Sequence, residues 1–527
     1  MSSSLRHFAR PAAIVAGILG SIGVAPSGHA ADQATIRIGA DYDSLDPVRT
    51  VTSDGYQLVN VLYDRLVALD EKGAPVPALA ESWSGDASRT VFKLRKGVTC
   101  SDGTPLTATA TAAALTRLGA KETNAPMAYR TVGIAGYSAT GDDDAGTVTI
   151  TMSAPFSDLL IGLAMPWASI VCPSGLKDTE ALGSTPSGTG PYTLDKAASV
   201  RGSHYVLKLR ADHAWDASGA TGKDPGRPTT INVRVINNNT TAANELQSGT
   251  IDVSLVTGRD INRLKAAKSL DFLDAKPFGM QFMMFQHRDG YPTADLLVRR
   301  AIATAINRDL ANRAATAGNG MTATSYISPL VACYEPKTAD LLPKPDAEAA
   351  KALLKQAGYV PGADGIFAKD GKKLRLRLIG QPGLQGSAPE YILEALRAIG
   401  VEVELRNITL QETASVMSGP DWEIGVFPFG PPMPSANTAV PFVSGKGSNH
   451  GNIENARFAA AQAAALASSP DSPERCARWS EAQLSLLENM DILPLFGGVN
   501  TFFSRKGVRF TIGGPFVMDI RSIRVGK

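Results

Sequence analysis

Stretches whose apolar residues recur at every second position alternate along this chain with stretches whose apolar residues recur every three or four, and no unit repeats. TVTITM (147–152), INVRV (231–235), KLRLRL (373–378) and VEVEL (401–405) carry the period of half-buried strands, and Ile36, Ile38 and Ala40 open the series. Leu58, Val61, Leu62 and Leu66 fall on one helical face, as do Val298, Ala301, Ile302 and Ala305, and Ala350, Leu353, Leu354 and Ala357. The last of these helices starts at Pro345-Asp346 and stops before Gly358, so both ends carry stop signals. Further helices are predicted near 108–118, 455–468 and 473–489. The alternation predicts a mixed α/β fold. At 527 residues the chain exceeds one ordinary core, and two to four domains are expected. The Gly- and Ser-rich connectors near 183–190 and 217–228 are too short to act as floppy linkers, so the domains are expected to be packed together and discontinuous in sequence.

The first residues read differently. MSSSLRHFAR carries Arg6 and Arg10, the run PAAIVAGILGSIGVAP is apolar, and small residues stand at Gly28 and Ala30. These are the parts of a secretory signal, expected to span 1–30 with cleavage after Ala30. The alternative is a membrane anchor, but the run falls short of the ~20 apolar residues that span a bilayer. With no cysteine near the cut, a lipid anchor there is not expected. The expected location is outside the cytoplasm, periplasmic or extracellular and associated with the cell envelope. Export changes the meaning of the four cysteines, Cys100, Cys172, Cys333 and Cys476. None form a CxxC motif, and an even number in an exported chain suggests two disulfides with three possible connectivities, against buried free thiols.

Chemistry is hard to find. The six histidines, at 7, 29, 204, 213, 287 and 450, have no metal-ligand spacing, and neither H-E-x-x-H nor G-x-S-x-G occurs. SGTGPY (187–192) has Pro191 and Tyr192 where a dinucleotide loop needs its third glycine and a helix start. GKGS (445–448) lacks phosphate-loop spacing, and Asp142–Asp144 lack the alternation and closing Glu of a calcium loop. No cofactor and no metal are expected. Net charge is +2 with interspersed signs, which argues against nucleic acid as the main partner. A binding protein rather than an enzyme fits this profile.

Particular residues then resemble a known family. VLYDRLVALDEKGAPVPALAESW, VFKLRKGVTCSDGTPLTA, SGTGPY and LLVRRAIATAINRDL followed by DAEAAKALLKQAGY occur in the order seen in peptide-type solute-binding proteins of ABC importers, the dipeptide, oligopeptide and nickel group. The resemblance covers Ile36 to about Arg509. It implies a two-lobed type II periplasmic-binding-protein fold with an extra domain and a hinge. By analogy, domain I comprises 31–63, 184–276 and 500–527, domain II comprises 64–183, and domain III comprises 277–499. It further implies capture of a peptide or other small organic solute between the lobes, delivery to ABC permease subunits, and a monomer. A sensory or scaffold protein on the same fold, or a secreted hydrolase, are the competing readings.

The same resemblance nominates ligand neighbours. Val51, Thr52 and Ser53 follow LDP, with Tyr56 behind them. Phe427, Pro428, Phe429 and Gly430 lie opposite, at a strand-to-loop transition. Phe285 and Gln286 are expected nearby, and Met127 and Tyr129 belong to a lid. Core positions for Phe285 and Phe427, and a helix-surface position for Tyr56, are the plainer alternatives. Pairing within a domain joins Cys100 to Cys172 and Cys333 to Cys476. Finally, VFPFGPPMPSA (426–436) puts prolines where peptide binders in the family carry the aspartate that holds a peptide's α-ammonium. The nearest acid is Glu423 upstream, so the ligand is expected to lack a free α-amine unless another acid such as Asp54 takes the role.

Overall fold

The computed structural model describes residues 32–70, 73–128, 133, 135–409, 412–427, 433–445, 448–512 and 518–526. The segment read as a signal lies outside them, and among the described residues no helix is long and apolar enough to cross a membrane.

Two large sheets organise the chain. The first has seven strands in the order Leu270–Ala275, Asn500–Arg505, Val253–Val256, Gln33–Ile38, Thr230–Val235, His204–Leu209, Tyr192–Val200. The second has six, in the order Gly320–Thr322, Ile492–Gly498, Gln281–Phe285, Ile424–Phe427, Arg375–Gly380, Glu402–Asn407. A four-stranded antiparallel sheet, Ala80–Gly85, Arg89–Leu94, Thr147–Met152, Tyr137–Asp142, stands beside the first.

Apolar packing groups these sheets into two lobes. One contiguous core runs from Ile36, Ile38 and Val233 of the seven-stranded sheet to Phe92, Val148 and Ile150 of the four-stranded one. SGTGPY joins these two parts. A Cβ on Gly190 would lie 2.4 Å from the carbonyl carbon of Leu62, so only glycine lets this loop approach the end of the Ser53–Leu62 helix. Arg521 of the final strand, Met518–Val525, pairs with buried Asp64 on the same lobe. The second core, built on Phe282, Leu376, Ile424 and Leu495, belongs to residues between 282 and 496.

Local signals explain most elements. Asp346 caps the Ala347–Gln356 helix by accepting from the N–H groups of Glu348 and Ala349, and Gly358 follows at φ 88°. TVTITM is a strand over its full length, with Val148, Ile150 and Met152 inward. Two expectations are shifted. The first helix ends at Leu62 because Tyr63 turns to extended backbone, so Leu66 is buried outside it. The KLRLRL strand is Arg375–Gly380, because Lys372–Lys373 instead pairs with Ala368 and Lys369 in a small hairpin.

Each disulfide lies within a single lobe, one in each. Cys100 is joined to Cys172 and Cys333 to Cys476, with Cα separations of 6.0 and 4.6 Å. Two structural bridges of this kind suit an oxidising compartment.

Candidate functional site, a cleft between two sheet edges

Sheet register locates the cleft. Gln33–Ile38 runs parallel to Thr230–Val235 and to Val253–Val256. Leu270–Ala275 and Val253–Val256 are each antiparallel to Asn500–Arg505, so Leu270–Ala275 points the same way as these three. Its carboxyl end, Ala275, is where the chain leaves the first lobe. The chain enters the second lobe at Gln281, which lies at the carboxyl end of Ile424–Phe427 because the two strands are antiparallel. Arg375–Gly380 and Glu402–Asn407 run parallel to Ile424–Phe427 and end on that same edge. The return passage runs from Gly498 to Asn500. Both passages therefore join the carboxyl edge of one sheet to the carboxyl edge of the other. In open α/β sheets, ligands bind outside the carboxyl ends of the strands. The two passages touch: a Cβ on Gly497 would lie 2.4 Å from Met280 Sδ and 2.7 Å from Pro277 Cγ.

The first wall is polar and braced. Arg37 donates to Ile236 O and Leu255 O, both at 2.7 Å, tying together the carboxyl ends of three strands. Burial lowers its pKa, with Asp54 opposing the shift. Asp43 accepts from Thr50 Oγ1 (2.6 Å), Val51 N–H (2.7 Å) and Thr52 Oγ1 (2.7 Å). Burial pushes the Asp43 carboxyl up, but these hydrogen bonds outweigh it and hold it below the usual carboxylate range. Thr52 caps the Ser53–Leu62 helix by accepting from Gly55 N–H. Asp54 accepts from the N–H groups of Gly39 (3.2 Å) and Ala40 (2.9 Å), which seats the helix start on the strand end. The result is a rigid shelf from which Val51 projects, 53% exposed. Tyr56 is buried behind it with its ring edge-on to Trp167, so it is not a helix-surface ring.

The second wall is apolar. Phe427 stacks on Phe282 with ring centroids 5.9 Å apart and tilts against Phe442 at 4.8 Å. Gln385 supports the strand end, donating to Val426 O at 2.8 Å and accepting from Gln381 N–H at 2.8 Å. From Ile424 to Ile453 the sequence contains no Asp or Glu. Glu423 lies at the far end of its strand, where it accepts from Arg377 N–H, Nε and Nη2 at 2.6, 3.0 and 2.7 Å.

Several nominated residues part company here. Val51, Thr52 and Ser53 stand together on the first wall, and Phe427 stands on the second. Phe285 and Gln286 do not join Phe427. They lie at the opposite end of the Gln281–Phe285 strand, where Phe285 pairs with Ile424, and both are fully buried. Gln286 N–H donates to Glu423 O there. Met127 packs half-buried on the first-lobe core. Tyr129, Pro428, Phe429 and Gly430 lie outside the described residues. Sequence reasoning missed Arg37, whose position inside a strand pattern gave no sign that its guanidinium staples neighbouring strand ends. It also missed Phe282, which the antiparallel register, invisible in one sequence, brings to Phe427. Among the described residues no cluster of His, Cys, Asp or Glu could hold a metal ion.

A two-lobed α/β chain with a cleft between carboxyl strand edges defines the type II periplasmic-binding-protein class. The chain belongs to the bacterial extracellular solute-binding proteins of family 5, whose middle-region model matches residues 74–451. It is similar to the glutathione-binding protein GsiB of Escherichia coli K12, at 29% identity over 348 residues, 64% of each chain. The match thus spans about two thirds of the length of that relative. A substrate-binding protein of Microbacterium hydrocarbonoxydans, solved with 4-hydroxybenzoate hydrazide, is 28% identical with a TM-score of 0.75, covering 94% of this chain and 100% of the other. HbpA2 of Haemophilus parasuis shares the fold at a TM-score of 0.80 and 19% identity, covering 94% and 100%.

Proposed function

We propose that this protein is an extracytoplasmic solute-binding component that captures a small organic solute between its lobes and delivers it to the permease subunits of an ABC importer, without chemical turnover. The observation that carries this reading is the pair of strand passages joining two independent cores at their carboxyl edges. A solute that touches both walls does so only when the lobes are together, so its binding energy favours closure by that difference in contact. The disulfides and the leader-like first residues support export. The sheets support the division into domains I, II and III: the four-stranded sheet falls within 64–183 and the six-stranded one within 277–499.

The ligand presents an apolar or aromatic face, without a free α-amine, to the second wall. An ammonium buried there would meet Phe427 and an acid-free stretch of chain, and a buried ammonium is costly without a carboxylate. Asp54 is a poor substitute because its carboxylate already accepts two backbone N–H groups. The bound 4-hydroxybenzoate hydrazide of the Microbacterium protein belongs to the favoured chemistry. Isothermal titration with that hydrazide, with glutathione, and with free and N-acetylated dipeptides tests this. Binding of the hydrazide or of acetylated peptides is expected, and tight binding of free peptides that acetylation abolishes would overturn it.

A further inference from the structure

Apart from the two strand passages, the lobes share a buried charged contact. Asp158 of the first lobe is fully buried, just before the Leu159–Leu163 helix. Arg475 of the second lobe is 7% exposed, in the first turn of the Pro473–Glu488 helix. The arginine Nη2 donates to Asp158 Oδ1, and the Ser435 hydroxyl of the second lobe donates to Asp158 Oδ2. Arg475 Nε reaches Ser157 Oγ at 3.1 Å, while Ser157 N–H donates to Leu466 O at 2.9 Å and its hydroxyl to Ala465 O at 3.2 Å. The partners are 277 to 318 residues apart. Among the described residues between 276 and 499, Met433 is buried in the first-lobe core and Leu466 packs partly buried against it. The Cys333–Cys476 disulfide adjoins this contact, with Cys333 Sγ 3.7 Å from Arg475 Nη1.

We propose that Asp158, Arg475 and Ser435 form a latch that holds the lobes together independently of solute. This rests on the reading above that the lobes separate. When they do, both charges return to water and lose their partner. When they meet, the carboxylate finds two donors and the guanidinium finds its carboxylate in a site where an unpaired charge is not tolerated. The contact therefore demands one lobe-to-lobe register, and the disulfide fixes the helix turn that carries the arginine. The latch sets how much of the solute's binding energy is needed for closure, and so sets the apparent affinity without touching the solute.

Small-angle scattering on the full chain decides it. Wild-type protein carrying its co-purified solute, wild type stripped of solute by unfolding and refolding, and stripped Asp158→Asn and Arg475→Gln are compared, with Glu474→Gln as a neighbouring exposed control. The two latch variants are expected to be more expanded than stripped wild type, with the closed fraction reduced about 10-fold or more and circular dichroism unchanged. The control is expected to match wild type. If Asp158→Asn expands because it has unfolded, the milder Ser435→Ala decides, with a smaller expansion expected. Unchanged scattering in the folded variants, while stripped and solute-bound wild type differ, would overturn the latch alone. Identical scattering in every sample would overturn the moving lobes as well.

Discussion

The two walls of the cleft are built from opposite materials. The first is a polar shelf in which Asp43, Asp54 and Arg37 spend their charges on Thr50, Thr52 and backbone groups of the same lobe. The second is three phenylalanine rings backed by the Gln385 side chain. A wall whose charges are already satisfied positions a solute through shape and backbone. A wall without charges selects which face of the solute it admits. On the proposed function, rigidity thus sits on one side of the cleft and chemical preference on the other.

The largest effect should come from the first lobe's disulfide. Replacing Cys100 and Cys172 by serine removes a cross-link spanning 72 residues. A loss of about 4 kcal/mol is expected in the chain-entropy account. Hydrogen exchange should place that loss in the strands around Phe92 and Val148, leaving those around Ile424 unchanged. Equal loss in both lobes would show that they do not unfold as separate units.

Next comes the second wall. Phe427→Ala opens a cavity between Phe282 and Phe442 and should cost about 3 kcal/mol in the second lobe. Val51→Ser on the opposite shelf should cost less than about 0.5 kcal/mol, because the side chain is largely exposed. Both should weaken solute binding. Urea midpoints that moved alike for the two variants would contradict the difference between walls.

How much of this was readable beforehand follows from what each residue depends on. Asp346 and Gly358 act through their own backbone neighbours, so their helix could be read directly. Val148, Ile150 and Met152 obey a period that any half-buried strand imposes. Val51 to Ser53 are positioned by a local bracket, Asp43 to Thr50, spanning seven residues. Phe285 was drawn to the wrong end because composition does not reveal that its strand runs antiparallel to Ile424–Phe427. Arg475 looks like any exposed helix charge, and only its encounter with Asp158, 317 residues away, buries it.

The smallest expected effects are pH slopes of opposite sign. Asp491, in the second lobe, has its carboxyl raised to about 6 by burial, against Asn455 and Arg299. Folding therefore favours its protonated form. Its stabilisation is complete below the unfolded value of about 4 and is lost as pH rises through about 6. Asp43, in the first lobe, is held low. Its contribution is present above about 4 and is lost as pH falls through its lower folded value. From pH 7 to 5 the Asp491 carboxyl thus adds stability to the second lobe, against His287, whose pKa burial lowers to about 4, so wild type should gain relative to Asp491→Asn over that range. Lobe-resolved urea midpoints at the two pH values would expose a trend of the wrong sign.

On the function proposed above, this cleft holds a small organic solute whose contact with the second wall needs no carboxylate. Native mass spectrometry of protein purified from its own host tests it most directly. The expected result is a one-to-one complex with a small organic molecule that lacks a free α-amine and is released on denaturation. A co-purified free peptide, bound through its amino terminus, would contradict it.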